Sequence, residues 1–306
     1  MIIVGAGLTG LIAGHVFPNA TIVERAASPA SLHRALLRFR SNEVATLVGI
    51  PFRKVRVHKA IYFEGAFRPI DPRLANLYAA KCLGSVTDRS IWDLAPVDRW
   101  IAPEDFYERL VDARQHQIKW GTPFGERLAF FGGADLISTI PLSMMALMAL
   151  LTEELPATMP EFKSKPITVT RWRAEETSVH QTIYFPGGDA EGTYRVSITG
   201  DLVIQESIAR CARMDRVAIE EAFGLPGGAL KLIDETDQSL GKIAPIDNSI
   251  RKELIYKLTT QARVYSVGRF ATWRNILLDD VLNDLRVVKG MIEQRDRYSL
   301  HKSASR

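Results

Sequence analysis

The sequence predicts an α/β protein, in which a parallel-sheet half built from both chain ends carries an inserted antiparallel sheet with helices. Three observations predict this architecture. Residues 2–15 read as an apolar strand, a glycine turn and a helix start. Residues 167–204 alternate between apolar and polar side chains, and residues 264–297 read as a strand, a glycine turn and a long helix.

The composition is that of an ordinary globular chain. The 306 residues are 46% hydrophobic and 24% charged, which excludes collagen, coiled coil and disorder. The net charge of +4 falls short of the dense basic patches of a dedicated nucleic-acid-binding protein. Cys82 and Cys211 match no metal or disulfide spacing, so we expect two reduced thiols.

Two features of the sequence concern the cellular location of the protein. No charged region or cleavage site precedes the first apolar strand, and the apolar stretch 140–151 is shorter than the roughly 20 residues that a bilayer requires. We therefore expect a cytoplasmic protein without a membrane partner.

The first turn has the glycine spacing of a dinucleotide-binding unit. Gly5 permits a sharp turn, Gly7 lets the backbone approach a pyrophosphate, and Gly10 lets the helix pack closely on the strand. The helix N-terminus then offers N–H groups and the positive end of its dipole to the diphosphate. The residues expected to bind the cofactor here are Gly5, Ala6, Gly7, Leu8, Thr9 and Gly10.

An acidic residue follows at the spacing that this unit requires. The second strand, residues 20–23, ends in Glu24, nineteen residues after Gly5, where a carboxylate can accept hydrogen bonds from an adenosine ribose. An acid here argues against a cofactor with a 2′-phosphate. We include the next residue, Arg25, in the predicted cofactor site.

The C-terminal strand, residues 264–267, leads into a second possible cofactor contact. Gly268 lets the backbone meet a ligand, Arg269 can bridge phosphate oxygens, and Asp279 is a candidate N-cap for a helix aimed at the cofactor. The alternative is a plain strand, turn and helix with Arg269 in a surface salt bridge.

Two segments resemble the amine oxidase, protoporphyrinogen oxidase and UDP-galactopyranose mutase group of flavoproteins. One is the strand and exit turn at Asp135–Leu142, which contains Thr139, and the other runs from Val264 to Val281. The resemblance implies FAD as cofactor, a Rossmann-type FAD-binding domain and a compact member of the group. Residues 25–40 lack the glycines of the usual fingerprint, but Arg34 stands near the place of its arginine.

The resemblance also implies the residues nearest the reaction. Trp273 and Asn275 are expected close to the flavin, and Tyr184 and Arg195 are expected to meet the substrate. The alternatives are that Trp273 is buried packing and that Tyr184 and Arg195 lie on a sheet surface.

A basic cluster next to the predicted FAD end of the sheet has two possible interpretations. It consists of His33, Arg34, Arg38 and Arg40. These residues either bind a carboxylate or phosphate of the substrate, or form a solvated helix face.

The remaining pattern predicts the other elements and the domain division. We expect short β-like structure over 39–94 with a hairpin at 55–67, and a helix ending at Arg114. We also expect strands at 117–120, within 124–131, and at 167–173, 179–186 and 194–204, helices at 206–214, 216–223 and 279–297, and extended chain at 230–236. The FAD-binding domain is expected at 1–40, 115–145 and 240–306, and the substrate domain at 41–114 and 146–239.

These features favour an FAD-dependent oxidoreductase that removes hydride from a carbon next to nitrogen in an amine or amino-acid-like substrate. One alternative is a mutase-like flavin isomerase, in which Arg171, Arg173, Arg195 and Arg269 hold a nucleotide-sugar diphosphate. Another is a flavin-dependent lyase or oxidase acting on a hypermodified nucleobase in phage DNA, and a non-enzymatic flavin-binding protein is a fourth. The expected partner is thus a small molecule or a modified nucleobase.

Overall fold

Two β-sheets organise the chain in the computed structural model. The structure describes residues 1–29, 36–87, 91–124, 134–150, 159–175, 177–208 and 212–304.

The first sheet has five parallel strands. They are β1 (Ile2–Val4), β2 (Thr21–Val23), β7 (Ile118–Lys119), β8 (Leu136–Ser138) and β14 (Val264–Ser266). Their order is β14-β8-β1-β2-β7, and β1 lies between β2 and β8 with Ile3 opposite both Ile22 and Ile137. All the carboxyl ends therefore meet at one edge of the sheet, where ligands of such folds bind.

Helices cover both faces of this sheet. One face packs on α1 (Leu8–Val16), α2 (Glu43–Val48), α4 (Phe106–Arg114) and α8 (Leu278–Ala304), and the other on α5 (Leu142–Leu150) and α7 (Asn248–Ala262). Leu11 of α1 and Leu285 of α8 are fully buried in the first core. Burial of each such leucine contributes about 2 kcal/mol, so packing rather than helix propensity holds these layers together.

The second sheet has nine strands. Its strands are β3 (Arg38–Phe39), β4 (Arg53–Phe63), β5 (Ala66–Arg68), β6 (Val97–Ile101), β9 (Ser164–Arg173), β10 (His180–Tyr184), β11 (Thr193–Thr199), β12 (Leu202–Ser207) and β13 (Lys231–Ile243). The order is β13-β9-β12-β11-β10-β4-β6-β3, with β5 paired to β4. Every pair is antiparallel except β4 with β10.

One helix packs on each face of the second sheet. The helix α6 (Ala212–Ala222) contributes Ile219 and Ala222 to a core with Val196 and Ile198. On the opposite face, α3 (Pro72–Leu83) packs Tyr78 and Cys82 against Ile204 and its neighbours. The same face also carries polar residues, some of which contact Tyr78 of α3.

The α/β class, the parallel sheet and the inserted antiparallel sheet are confirmed. So are the hairpin of β4 and β5, the helix that ends at Arg114, the strand within 117–120 and the extended chain after residue 230. The expected strand within 124–131 falls mainly outside the described residues, as does Cys211. Cys82 is a buried free thiol, as expected.

Three predicted elements need correction. Residues 39–94 are not only β-like, because α2 and α3 lie there. The expected strand 194–204 is two strands, because Gly200 adopts a φ of 63° and reverses the chain between β11 and β12. The expected helix at 206–214 begins only at Ala212, since β12 continues to Ser207.

The expected domain boundaries stay a prediction. The helices α2 and α4, which that division assigns to the substrate domain, share a core with α1. Among the described helices, none combines the length and apolar character that a bilayer crossing requires.

A neutral histidine links two helices on the parallel sheet. Nδ1 of His15 in α1 lies 2.8 Å from Nη2 of Arg114 at the end of α4. Since a guanidinium only donates, this ring nitrogen accepts and the imidazole is uncharged. Burial, followed by the charge of Arg114, lowers the pKa of His15 to about 4.

This histidine predicts a loss of stability in mild acid. Below about pH 6.5 the unfolded chain binds a proton at residue 15, but the folded chain does so only near pH 4. We expect the free energy of unfolding to fall by about 2 kcal/mol over that interval, after allowance for partial exposure. Urea titrations at pH 7 and pH 4.5 should show that His15→Gln flattens the dependence. The same change at the exposed His116 should not.

Candidate active site

The turn between β1 and α1 is packed too tightly for side chains. Gly5 has a φ of 100°, and a Cβ there would lie 2.5 Å from Oγ1 of Thr139. A Cβ on Gly10 would overlap the carbonyl oxygen of Gly5. The two glycines therefore bring the start of α1 directly against the end of β1.

The N-terminus of α1 is open to an anion. Gly7 is its N-cap residue, no side chain caps it, and its first turn carries no acidic residue. Apart from its two chain neighbours, no described residue places a heavy atom within 4 Å of the position where a Cβ on Gly7 would stand. The helix thus presents backbone N–H groups and its positive dipole end to a space that a phosphate can enter.

Glu24 lies at the end of the next strand and contacts the same turn. Its carboxylate accepts hydrogen bonds from the backbone N–H of Ala6 at 2.8 Å and of Ala26 at 2.9 Å. These bonds orient the side chain, and each oxygen keeps a lone pair for a further donor such as a ribose hydroxyl. Arg25 is exposed beside it.

Two further turns complete this edge. Thr139, after β8, donates from N and Oγ1 to the carbonyl of Val4, at 3.1 and 2.7 Å. After β14, Gly268 has a φ of 97°, and a Cβ there would lie 2.8 Å from Cγ2 of Thr9. The turns after β1, β8 and β14 are thus in contact, and together with Glu24 they form what we call the dinucleotide cradle.

The end of the cradle is attached to the second sheet. Nη2 of Arg269 donates to the carbonyl of Gly241 in β13 at 3.1 Å. Trp273, with a φ of 47°, donates from Nε1 to the carbonyl of Ala244 at 2.9 Å. These contacts hold the end of β13 over the turn that follows β14.

Asp279 does not cap α8, contrary to the expectation. The helix begins at Leu278, and the carboxylate of Asp280 accepts from the N–H of Leu277 at 2.9 Å. Asp279 instead accepts from the backbone N–H groups of Arg40 and Ser41, at 3.1 and 3.2 Å. Two carboxylates therefore occupy this helix end, whereas the end of α1 is free for an anion.

Tyr184 and Arg195 are direct neighbours on the second sheet. They lie opposite each other on β10 and β11, and Arg195 lies opposite Glu206 on β12. Arg195 forms an ion pair with Glu206, and the ring of Tyr184 packs edge-on to Tyr78 at 5.5 Å. The structure therefore brings together the two residues expected to meet a substrate.

Glu206 is the negative centre of this face. It accepts from the hydroxyl of Tyr194 at 3.3 Å, and Nζ of Lys242 lies 4.0 Å from the centroid of the Tyr194 ring. Burial alone raises the pKa of the Glu206 carboxyl, but the charges of Arg195 and Lys242 and the hydrogen bonds from Arg195 and Tyr194 outweigh it. They lower that pKa to about 2. The carboxylate is thus ionised, is bonded to Arg195 and attracts Lys242.

This face, which we call the polar face, lies beside the cradle. Lys242 follows Gly241, whose carbonyl accepts from Arg269. At the other side, Arg38 bonds to Thr182 and Thr199 on this face, while the neighbouring Arg40 bonds to Asp279 at the start of α8. A molecule bound in the cradle can therefore reach side chains of the polar face.

Other predicted site residues lie in different surroundings. Trp273 is 3% exposed and packs edge-on to Phe162 at 4.9 Å, whereas Asn275 is exposed. Contact of either residue with a substrate stays a prediction. Arg34 lies outside the described residues.

Glu206, Tyr194 and Lys242 are not among the site residues predicted from the sequence. A signal for Glu206 existed, because the tight turn at Gly200 pairs Thr199 with Leu202 and so places Arg195 opposite Glu206. Lys242 had no such signal, since β13 is irregular between Gln238 and Lys242. Among the described residues, no group of three His, Cys, Asp or Glu side chains is arranged to hold a metal ion.

The parallel sheet, the glycine turn and the covering second sheet define a Rossmann-type fold of the flavoenzyme kind. The structure of reduced UDP-galactopyranose mutase has this fold: the TM-score is 0.64 at 13% identity, over 96% of this chain and 93% of that chain. The resemblance to that group is therefore confirmed at the level of the fold.

Other solved structures are less similar to this chain. A putative FAD-containing monooxygenase from Photorhabdus luminescens matches with a TM-score of 0.45 and 11% identity, over 98% of this chain and 96% of its own. An oxidoreductase from Methanosarcina mazei also scores 0.45 with 11% identity, over 78% and 87%. No protein-family model matches the sequence, and no curated protein matches it significantly.

We expect opposite effects on stability from a Gly→Ala substitution in the cradle and one in α8. Gly10→Ala forces a methyl group against the carbonyl of Gly5, so we expect a loss of 2 kcal/mol or more, about the cost of overpacking, together with loss of dinucleotide binding. In Gly290→Ala in α8, the new methyl group meets no atom of the described residues within 4 Å apart from the local helix backbone, so it should stabilise the protein by about 0.5–1 kcal/mol. Thermal unfolding of both variants, with and without FAD, measures the difference. Equal melting temperatures would contradict the described packing.

Proposed function

We propose that the protein is a flavoenzyme that binds FAD in the dinucleotide cradle. The observation that carries the proposal is the uncapped N-terminus of α1 beside Gly7, with the Glu24 carboxylate fixed next to it. An extended dinucleotide needs an anion site and a hydroxyl acceptor at this spacing, and the chain supplies both.

The residues present fit this cofactor. The N-terminus of α1 would hold the diphosphate, Glu24 would accept from a ribose, and the turns at Thr139 and Gly268 would bound the cofactor further along. When bound, FAD supplies an acceptor for the two electrons of a hydride and passes them to oxygen or another oxidant.

We further propose oxidation of a carbon–nitrogen bond in an amine or amino-acid-like substrate. Arg195 bonds to Glu206 through Nε, which orients the guanidinium, and its two Nη groups would bind a carboxylate of the substrate. Tyr184 adds a half-buried ring and a hydroxyl on the same face. The polar face would thus orient a substrate next to the cofactor.

A mutase-like isomerase is the second candidate, and the fold of UDP-galactopyranose mutase favours it. Two arginines expected to hold a diphosphate are already engaged. Arg171 binds Asp234, with Nη2 to Oδ2 at 2.5 Å, and Arg173 binds Asp201 at 2.9 Å. A diphosphate would have to replace these carboxylates, so we place this candidate second.

Purified protein should carry FAD through Glu24. We expect a flavin absorbance spectrum and close to one FAD per chain. Glu24→Leu removes the hydroxyl acceptor and the bonds to Ala6 and Ala26, so FAD affinity should fall about 10- to 100-fold. Glu43→Leu on the exposed surface of α2 is the matched control and should bind FAD as the wild type does. Protein that remains colourless after incubation with FAD would overturn the proposal.

The reaction type is tested by mixing the FAD-loaded protein with amines and amino acids without oxygen. Oxidation predicts that a substrate bleaches the flavin in this mixture, and that one equivalent of oxidant is consumed per product once oxygen is admitted. If Arg195 binds a carboxylate, Arg195→Met should raise KM for an amino acid about 10- to 100-fold more than for its decarboxylated amine. Turnover that requires prior flavin reduction and consumes no oxidant would support the isomerase instead.

A further inference from the structure

All the hydrogen bonds of Arg38 to described residues go to neutral groups. Arg38 donates from Nη1 to Oγ1 of Thr182 at 2.5 Å, and from Nη2 to Oγ1 of Thr199 at 2.7 Å and to the carbonyl of Ile198 at 3.3 Å. No carboxylate of the described residues forms an ion pair with it. A buried cation is costly without a negative partner, so this arrangement favours binding of an anion.

Other cations share the face of the sheet that Arg38 contacts. The register pairs Arg38 and Arg53 with Ile101, and Val55 with Arg99, so Arg38, Arg53 and Arg99 point to one side. Lys59 lies on the same side of β4, because residues two apart share a face. We call Arg38, Arg53, Lys59 and Arg99 the cationic rim.

Few acidic groups of the described residues balance the rim. Lys59 donates to the carbonyl of Asp93 at 2.7 Å, and the exposed carboxylate of Asp93 lies 3.9 Å from its Nζ. Arg99 donates to the carbonyl of Asp98 at 2.8 Å. Glu206 on the adjacent polar face is already engaged by Arg195.

The charges of the rim act on one another. Burial, followed by repulsion from Arg195 and Arg99, lowers the pKa of Arg38 to about 10, although Tyr184 and Glu206 act in the opposite direction. The pKa of Lys59 is lowered by burial and by Arg99, against the attraction of Asp93. An anion placed among these groups would relieve this mutual repulsion.

We propose that the cationic rim, centred on Arg38, binds a phosphate group of the substrate. This step rests on the proposed function for its place beside the cofactor, since Arg38 contacts the strands that carry Tyr184 and Arg195. A carboxylate brings a single negative charge, whereas four cations favour a group with more charge and more acceptor oxygens. Guanidinium groups match phosphate oxygens through paired hydrogen bonds.

Two sources present this chemistry. One is a small phosphorylated molecule held wholly within the site. The other is a nucleic-acid strand, for which the exposed Arg53 would extend the contact outward along β4. Both sources would place a phosphate group against Arg38. A first experiment therefore tests whether phosphate binds there, and a second distinguishes the two sources.

The first experiment titrates the full-length protein, saturated with FAD, with pyrophosphate in a calorimeter. Arg38→Gln should weaken binding about 10- to 100-fold, and Arg38→Lys, which keeps one charge, should lie between. Arg109→Gln is the matched control, because Arg109 is an exposed arginine that pairs with Asp105 on α4, and it should bind within twofold of the wild type. Thermal unfolding checks that each variant folds. If Arg38→Gln does not fold, the comparison is made with Arg38→Lys alone.

A Gly7→Asp variant separates this site from the cradle. It places a carboxylate at the N-terminus of α1, so it should block a diphosphate there and leave binding at Arg38 unchanged. Pyrophosphate binding that Gly7→Asp abolishes and Arg38→Gln does not would overturn the proposal. So would the absence of pyrophosphate binding by the wild type, or equally tight binding of glutarate. FAD content is measured on the same samples, and the titration is repeated without FAD. Failure to bind FAD can therefore be distinguished from failure to bind pyrophosphate at Arg38.

The second experiment adds a single-stranded oligothymidylate to the same proteins. If the natural source is a strand, the oligonucleotide should displace pyrophosphate, depend on Arg38, and weaken with salt at a slope of roughly −2 to −3 for three or four phosphate contacts. If the source is a small molecule, pyrophosphate should bind through Arg38 and the oligonucleotide should not compete. Either result supports the phosphate site, whereas oligonucleotide binding that is insensitive to Arg38→Gln counts against it.

Discussion

The close packing of the turn after β1 is the constraint on which the rest of the structure depends. Gly10 touches the carbonyl of Gly5, Gly5 meets Thr139, and Gly268 meets Thr9. Three strand ends and one helix start therefore occupy a space that admits no side chains at these glycines. The packing aims the N-terminus of α1 at the open space beside Gly7, and it determines where the second sheet can be attached.

The second sheet is held over this edge mainly by bonds to backbone atoms. Arg269 and Trp273 donate to carbonyls at the end of β13 and just beyond it, and Asp279 accepts from the N–H groups of residues 40 and 41. Each of these bonds joins a side chain to a backbone group. Since every residue except proline has both of these backbone groups, the position of the sheet does not depend on the side chains of the residues that supply them. The polar face can thus vary in chemistry on a fixed frame.

Electrostatics then gives the polar face its character. Glu206 holds Arg195 and Lys242 nearby, and its pKa of about 2 keeps it ionised. Arg38 lacks such a carboxylate among the described residues and instead contacts hydroxyls and a carbonyl. One guanidinium is therefore positioned by an internal acid, while the other bonds to neutral groups and is the one for which we propose an external anion. This difference separates the substrate-orienting role proposed for Arg195 from the phosphate-binding role proposed for Arg38.

The sequence by itself determined the features that are local along the chain. The spacing from Gly5 to Gly10 and on to Glu24 predicts the first turn and its acid, and period-two alternation predicts the antiparallel sheet. The helix α3, which the prediction of β-like structure over 39–94 missed, also had a local signal, because Asp71 caps it by accepting from the N–H of Leu74, Pro72 opens it and Gly84 ends it. Only the tertiary structure decided which distant side chains meet. Arg38 reaches Thr182 and Thr199 across more than 140 residues of sequence, and Lys242 reaches Tyr194 past an irregular strand. Such contacts depend on sheet order and curvature, which arise from packing between elements and leave no periodic trace in either segment.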